Sequence, residues 1–197
     1  MLLLSILLSG CNWGTDPDGA ELTLDFNPSP ALIDGVGGAV DVDIMANNAN
    51  GLITARITVH FEASLLSVEA ITTNGDDFLF KGSGAEIDVL EVNYDNDIGT
   101  IIFGVGAVKS EFKGATGSGK LATITFKGLK EGSGFLNFID YEQTDTFLAT
   151  YSSGNSSGWD SATLSQQLGI IRVVEEPPPV SPTDPSDGSD PGSPDGF

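Results

Sequence analysis

The chain is 197 residues long and has one cysteine, one histidine and eight basic residues, so it is poor in the side chains that most enzyme and metal chemistry needs. A single thiol cannot close an intrachain disulfide, which leaves packing and hydrogen bonding to hold any fold. One His and one Cys cannot furnish the soft ligand set of a zinc site. The pentad Gly154-Asn155-Ser156-Ser157-Gly158 has the spacing of a nucleophile elbow. The hydrolase order needs a His after the Ser, and His60 lies before it. With 28 acidic residues against 8 basic ones the net charge is −20, which repels phosphate backbones and sets nucleic acid aside as a partner. Long amphipathic helical windows are also lacking. No catalytic residue, cofactor or resident metal is expected.

The chain is rich in glycine, with 25 residues, and in Val, Ile, Thr and Phe, a composition that favours short strands joined by tight turns. Its dominant hydrophobic period is two. Ile53, Ala55, Ile57, Val59 and Phe61 alternate with Thr54, Arg56, Thr58, His60 and Glu62, which marks a strand with one dry and one wet face. The alternation recurs in Leu22, Leu24 and Phe26, in Val40, Val42 and Ile44, and in Ala122, Ile124 and Phe126. From Ala85 to Tyr94 it breaks step: Ile87 and Val89 fall on one phase, Leu90, Val92 and Tyr94 on the other, so a β-bulge is expected there. Turn formers stand between the strands, at Asn47-Asn48-Ala49-Asn50-Gly51, Asn74-Gly75-Asp76-Asp77, Asp95-Asn96-Asp97-Ile98-Gly99 and Glu131-Gly132-Ser133-Gly134. Their spacing suits antiparallel sheets packed as a sandwich, so an all-β fold is expected.

The ends differ from the middle. Leu2-Leu3-Leu4-Ser5-Ile6-Leu7-Leu8 is too short to span a bilayer but has the length of a signal-peptide core. The following Leu8-Ser9-Gly10-Cys11 resembles a bacterial lipobox, which implies cleavage before Cys11 and acylation of its thiol. Residues 1–10 are therefore expected to be a lipoprotein signal peptide and residues 11–20 a short polar stalk. Residues 21–174 should form the folded domain. Residues 175–197 hold seven of the ten prolines among Asp, Ser and Gly, and are expected to be a disordered tail. The protein would be exported and held at the bacterial cell envelope, its membrane contact being the N-terminal lipid anchor.

Several local patterns imitate chemistry. Gly114-Ala115-Thr116-Gly117-Ser118-Gly119-Lys120-Leu121 follows the phosphate-loop pattern until Leu121 replaces the hydroxyl residue, and it leads into a strand where a helix is required. Asp76, Asp77, Asp95, Asn96 and Asp97 could offer oxygen ligands to calcium, although Asp and Asn favour turns for backbone reasons. Among late aromatic residues Tyr141, Phe147, Tyr151 and Trp159, the expected binding surface centres on Trp159 and Tyr151. The lysines from Lys109 to Lys130 read as a solvated strand edge.

Two longer stretches carry a family resemblance. Gly51-Leu52-Ile53-Thr54-Ala55-Arg56-Ile57-Thr58-Val59-His60-Phe61 with Leu65-Leu66-Ser67-Val68-Glu69-Ala70, and Gly117-Ser118-Gly119-Lys120-Leu121-Ala122-Thr123-Ile124-Thr125-Phe126-Lys127, make the segment from Val40 to Val174 resemble a cohesin domain. The resemblance implies a flattened, nine-stranded jelly-roll β-sandwich that captures a protein partner, dockerin-like, across one sheet face. Carbohydrate-binding modules share a related sandwich, so capture of polysaccharide is the alternative.

Overall fold

The computed structural model describes residues 22–107, 113–139, 146–150 and 168–175. Cys11, Tyr141, Tyr151, Trp159, the expected stalk and nearly all of the expected tail lie outside them. Ten strands are described: β1 Thr23–Asn27, β2 Ala31–Asp34, β3 Ala39–Phe61, β4 Leu66–Thr72, β5 Ile87–Asp95, β6 Thr100–Ala107, β7 Ala115–Gly128, β8 Gly132–Phe138, β9 Phe147–Thr150 and β10 Gly169–Val174. A single helical turn, α1 Leu79–Gly82, stands between β4 and β5.

β3 organises the molecule. Its first half pairs with β1 on one side and β7 on the other. Its second half pairs with β6 on one side and with β8 and β9 on the other. β4 extends the first layer beyond β7, while β5 extends the second beyond β6 and β10 with β2 extends it beyond β8. Two packed layers thus share one strand of 23 residues, and hydrogen bonding runs unbroken through all ten strands. Among the described strands only β2 and β10 pair in parallel.

The expected turn at Asn47 to Gly51 is instead the bend of β3. Asn48 and Gly51 take positive φ (58° and 74°), and the register with β7 shifts between Ala46 and Ala49 and again between Ala49 and Leu52. Extra residues in one strand bend and twist it without reversing the chain. Gly114, opposite this bend, could not be anything larger, because a Cβ there would stand 2.1 Å from the carbonyl carbon of Gly51.

The alternation read from the sequence is the core pattern. Val42, Ile44, Leu52, Ala55, Ile57 and Val59 of β3 are fully buried, in one core with Ile124 and Phe126 of β7 and Ile101, Phe103 and Val105 of β6. Each large apolar side chain so buried contributes roughly 1.5–3 kcal/mol. Phe26 stacks on Phe138 at 4.1 Å, and Phe61 meets Phe126 edge-on at 5.7 Å, so both aromatic pairs tie one layer to the other.

The margin of β3 opposite β6 explains ten strands where nine were implied. β9 pairs with Leu52 to Arg56 and β8 with Val59 to Phe61, so the two share one margin in tandem. Between them Thr58 donates its N–H to Thr146 Oγ1 (3.0 Å), and its carbonyl accepts from Ile139 N (2.9 Å). Ile57 and Thr58 therefore separate the stretch of β3 paired with β9 from that paired with β8.

Candidate protein-recognition face

The two outer faces differ in chemistry. On the β4–β7–β3–β1 layer the outward side chains close on one another. Thr123 and Thr125 each donate a hydroxyl to the carboxylate across the strand pair, Asp43 and Asp41, at 2.6 Å. Lys127 reaches Glu69 at 3.0 Å. Lys120 lies 2.9 Å from Asp77 and 3.4 Å from Asp43, and its ammonium sits 5.0 Å above the Phe78 ring. The Asp77 bond is the main reason the Lys120 ammonium titrates above its ordinary range, and the Asp77 carboxyl is held below its own. This surface is polar, and most of its described side chains pair with one another; Asp25 accepts from Asn47 through Oδ2 at 2.6 Å, while its buried Oδ1 has no partner.

The outer face of the other layer is only partly covered: Thr58 is buried, whereas His60, Leu90, Asn93, Phe135 and Asn137 are exposed. Strand register places its outward side chains in rows that cross it. One row holds Asn137, His60, Thr100 and Asp95; the next holds Thr58, Ile102 and Asn93; a third holds Phe147, Arg56, Gly104 and Glu91. His60 is exposed with Nε2 3.1 Å from the Ile98 carbonyl, the outward position that the strand pattern assigned to it. Arg56 Nε pairs with Glu91 at 3.2 Å.

The bulge read from the broken alternation lies between Val89 and Glu91. It returns Val92 and Tyr94 to the side of Ile87 and Val89, since their partners Phe103 and Ile101 face the core as does Val105 opposite Val89. Leu90 alone among the apolar residues of β5 is thrown onto the outer face. There it rests beside Gly104 and Gly106, where Cβ atoms would stand 3.4–3.5 Å from its side chain. Leu90 is 59% exposed. At the far side of the same face Phe135, 57% exposed, pairs in register with Ile170 of β10, and Leu32 of β2 is also exposed.

The phosphate-loop imitation runs along β7, with no helix after Lys120, whose ammonium is engaged by two carboxylates. The carboxylate of Asp95 accepts the backbone N–H groups of Asp97 and Ile98 (2.8 and 3.2 Å). Asn96 turns away to β4: its Oδ1 accepts from Val68 N at 2.8 Å and its Nδ2 donates to Val68 O at 3.2 Å. These side chains serve the turn and the neighbouring strand. No group of three or more potential metal ligands occurs among the described residues.

Of the residues expected to form a binding surface, Trp159 and Tyr151 lie outside the described residues. Sequence reasoning missed Leu90, Ile102 and Phe135. The phase break marked Leu90, and alternation within Gly132–Phe138, with Gly134, Leu136 and Phe138 buried, marks Phe135 as outward.

No protein-family model matches the chain, and no curated protein matches it. Solved structures do. A non-cellulosomal cohesin from the archaeon Archaeoglobus fulgidus superposes with a TM-score of 0.54 at 18% identity, covering 79% of this chain and 92% of that one. The third cohesin of ScaC from Acetivibrio cellulolyticus, solved in complex with the ScaB dockerin, gives 0.55 at 18% identity over 78% and 99%. The cohesin module of a family 33 glycoside hydrolase from Clostridium perfringens gives 0.57 at 14% identity over 79% and 98%. The chain has the cohesin jelly-roll β-sandwich fold.

Proposed function

We propose that this chain is a non-catalytic recognition module that captures a dockerin-like protein partner on the outer face of β5, β6, the second half of β3, and β8. The observation that carries this reading is the contrast between the two outer faces. One spends most of its polar groups on itself, whereas the other leaves Leu90 and Phe135 exposed and Ile102 half-buried among the exposed polar groups of Asn93, Asn137 and His60. Apolar side chains on a rigid sheet amid polar rims are what a protein interface needs, since their burial drives association while the rim selects the partner. A cohesin of the same fold was solved with a dockerin bound, which supports a protein as the ligand.

The module is exported and anchored to the bacterial envelope through lipid on Cys11, so the partner is gathered at the cell surface. The support for this part is the apolar run and lipobox-like residues before Cys11. Incorporation of radioactive palmitate in the chain and its absence in Cys11→Ala tests the anchor, and equal labelling of both overturns it.

The recognition face is tested by calorimetric titration with calcium-loaded dockerin modules encoded by the same organism. Ile102→Asp, which puts a charge at the centre of the face, is expected to weaken binding at least about 30-fold, or about 2 kcal/mol. Thr72→Asp, on the opposite layer, is expected to bind like the unmodified chain. Loss of binding in Thr72→Asp with retention in Ile102→Asp would reverse the assignment.

A further inference from the structure

β5 is a strand with one margin to spare. Its nine residues pair only with β6 among the described residues, so along about 30 Å a run of its backbone N–H and C=O groups has no strand partner among them. Such an edge invites another chain, and proteins close their edges by identifiable means. The other margins show them. Beside β4 the Asn96 amide occupies both backbone groups of Val68, and the ladder to β7 shifts between Val68 and Ala70. β2 has four residues and follows Pro28 and Pro30, while β1 has five and runs into Pro28. β5 contains neither proline nor lysine, and its single irregularity is the bulge at Leu90.

The side chains of β5 are also incompletely covered. Val89, Val92 and Tyr94 point towards the interlayer space yet remain 41%, 43% and 40% exposed. The layers do not close over this margin, so a further strand would bring its own inward side chains against these three.

Charge selects the occupant. Asp88, Glu91, Asp95 and Asp97 fall within ten residues, and no Lys or Arg occurs from 86 to 99. Of these, Glu91 is paired with Arg56. A second copy of this chain pairing β5 with β5 would bring these carboxylates together, and like charges across a strand pair are destabilising. We infer that the free margin of β5 receives an extended, cationic segment of a partner protein as an added strand, with apolar residues of the segment on one face and Lys or Arg on the other. This site is distinct from the sheet face proposed above and does not depend on it. Main-chain bonds would supply affinity, and the alternating pattern specificity.

The probe is the blocked decapeptide of five Lys-Val repeats, compared with five Lys-Pro repeats. The second carries the same charge but lacks alternate N–H donors. Titration at physiological ionic strength with hydrogen exchange of backbone amides separates ladder formation from charge attraction. The Lys-Val peptide is expected to bind and to slow exchange at alternate amides between Ile87 and Asp95, with Lys-Pro at least about 10-fold weaker. Asp88→Lys should weaken the Lys-Val peptide by about 10-fold or more, while Ile102→Asp should change it by less than about threefold. Unchanged exchange along β5 in the presence of saturating Lys-Val peptide, or equal affinity for Asp88→Lys, overturns the proposal. Loss of dockerin binding in Ile102→Asp with retained peptide binding separates the two sites.

Discussion

Asn96→Ala provides a sensitive test of how the two layers are held at their shared end. The Asn96 amide makes two hydrogen bonds to one residue of β4, at 2.8 Å to Val68 N and 3.2 Å to Val68 O, and so acts as a one-residue strand. Val68 is 3% exposed, so truncation leaves a donor and an acceptor with little access to water. Each neutral hydrogen bond is worth about 1 kcal/mol net, and an orphaned buried group costs about 1–3 kcal/mol. The expected loss is therefore about 2 kcal/mol, or about 4–8 °C in Tm for a domain of this size. Urea unfolding should show a lower midpoint at constant m. Amide exchange at Val68 should rise more than at Ile57 in the centre of β3. Asn96→Asp keeps an acceptor for Val68 N but sets a carboxylate against the Val68 carbonyl, so it should be no more stable than Asn96→Ala at neutral pH. Part of that loss should return when the carboxyl is protonated and can donate. A loss below about 0.3 kcal/mol for Asn96→Ala, with Val68 exchange unchanged, would refute the stitching role.

Two further outcomes follow from local geometry. Gly114→Ala should cost more than about 3 kcal/mol in denaturant unfolding, since its Cβ would meet the Gly51 carbonyl carbon at 2.1 Å; Gly117→Ala, with a similarly positive φ but nothing within 4 Å, should lose only the backbone strain of about 1 kcal/mol, and equal losses would disprove the close approach as the cause. The Lys120–Asp77 pair holds Asp77 below its ordinary 3.8 and Lys120 above its ordinary 10.5, so its contribution is present between those values and is lost as pH falls through the depressed carboxyl or rises through the raised ammonium. Amide exchange around Phe78 should accordingly quicken in Lys120→Met at pH 7 but differ little between the two proteins well below pH 3, and a difference of equal size at both would exclude the ion pair.

The binary pattern was legible wherever a strand has one dry and one wet face. Ala55 to Phe61 and Ala122 to Phe126 have their inward members buried, but at the start of the run Leu52 takes the core place that the pattern gave to Ile53, where the register with β9 shifts between Leu52 and Thr54, and Thr58, read as outward, is buried as well. The bulge in β5 was legible too, because an inserted residue shifts hydrophobic phase by one. What it does was not: a phase shift marks an extra residue without saying which side chain is expelled, and pairing with β6 is needed to show that Leu90 alone goes outward. The Asn47 to Gly51 cluster reads locally as a turn because Asn and Gly tolerate positive φ, but positive φ at Asn48 and Gly51 is equally what a bent strand uses. Long-range pairing with β7 and β6 chose between them.

By itself, the sequence determined the strand-rich character, the dry faces, the want of a catalytic constellation in reading order, and a resemblance to cohesins that the fold bears out. Those properties live in spacings of two to a few residues, which local sterics and apolar burial translate directly into backbone form. Tertiary structure decided which strand joins the layers, which outer face is spent on its own Thr–Asp and Lys–carboxylate contacts, and which leaves His60, Leu90 and Phe135 exposed. These depend on partners far apart in the chain, such as Thr123 with Asp43 or Asn96 with Val68, and no local rule contains them.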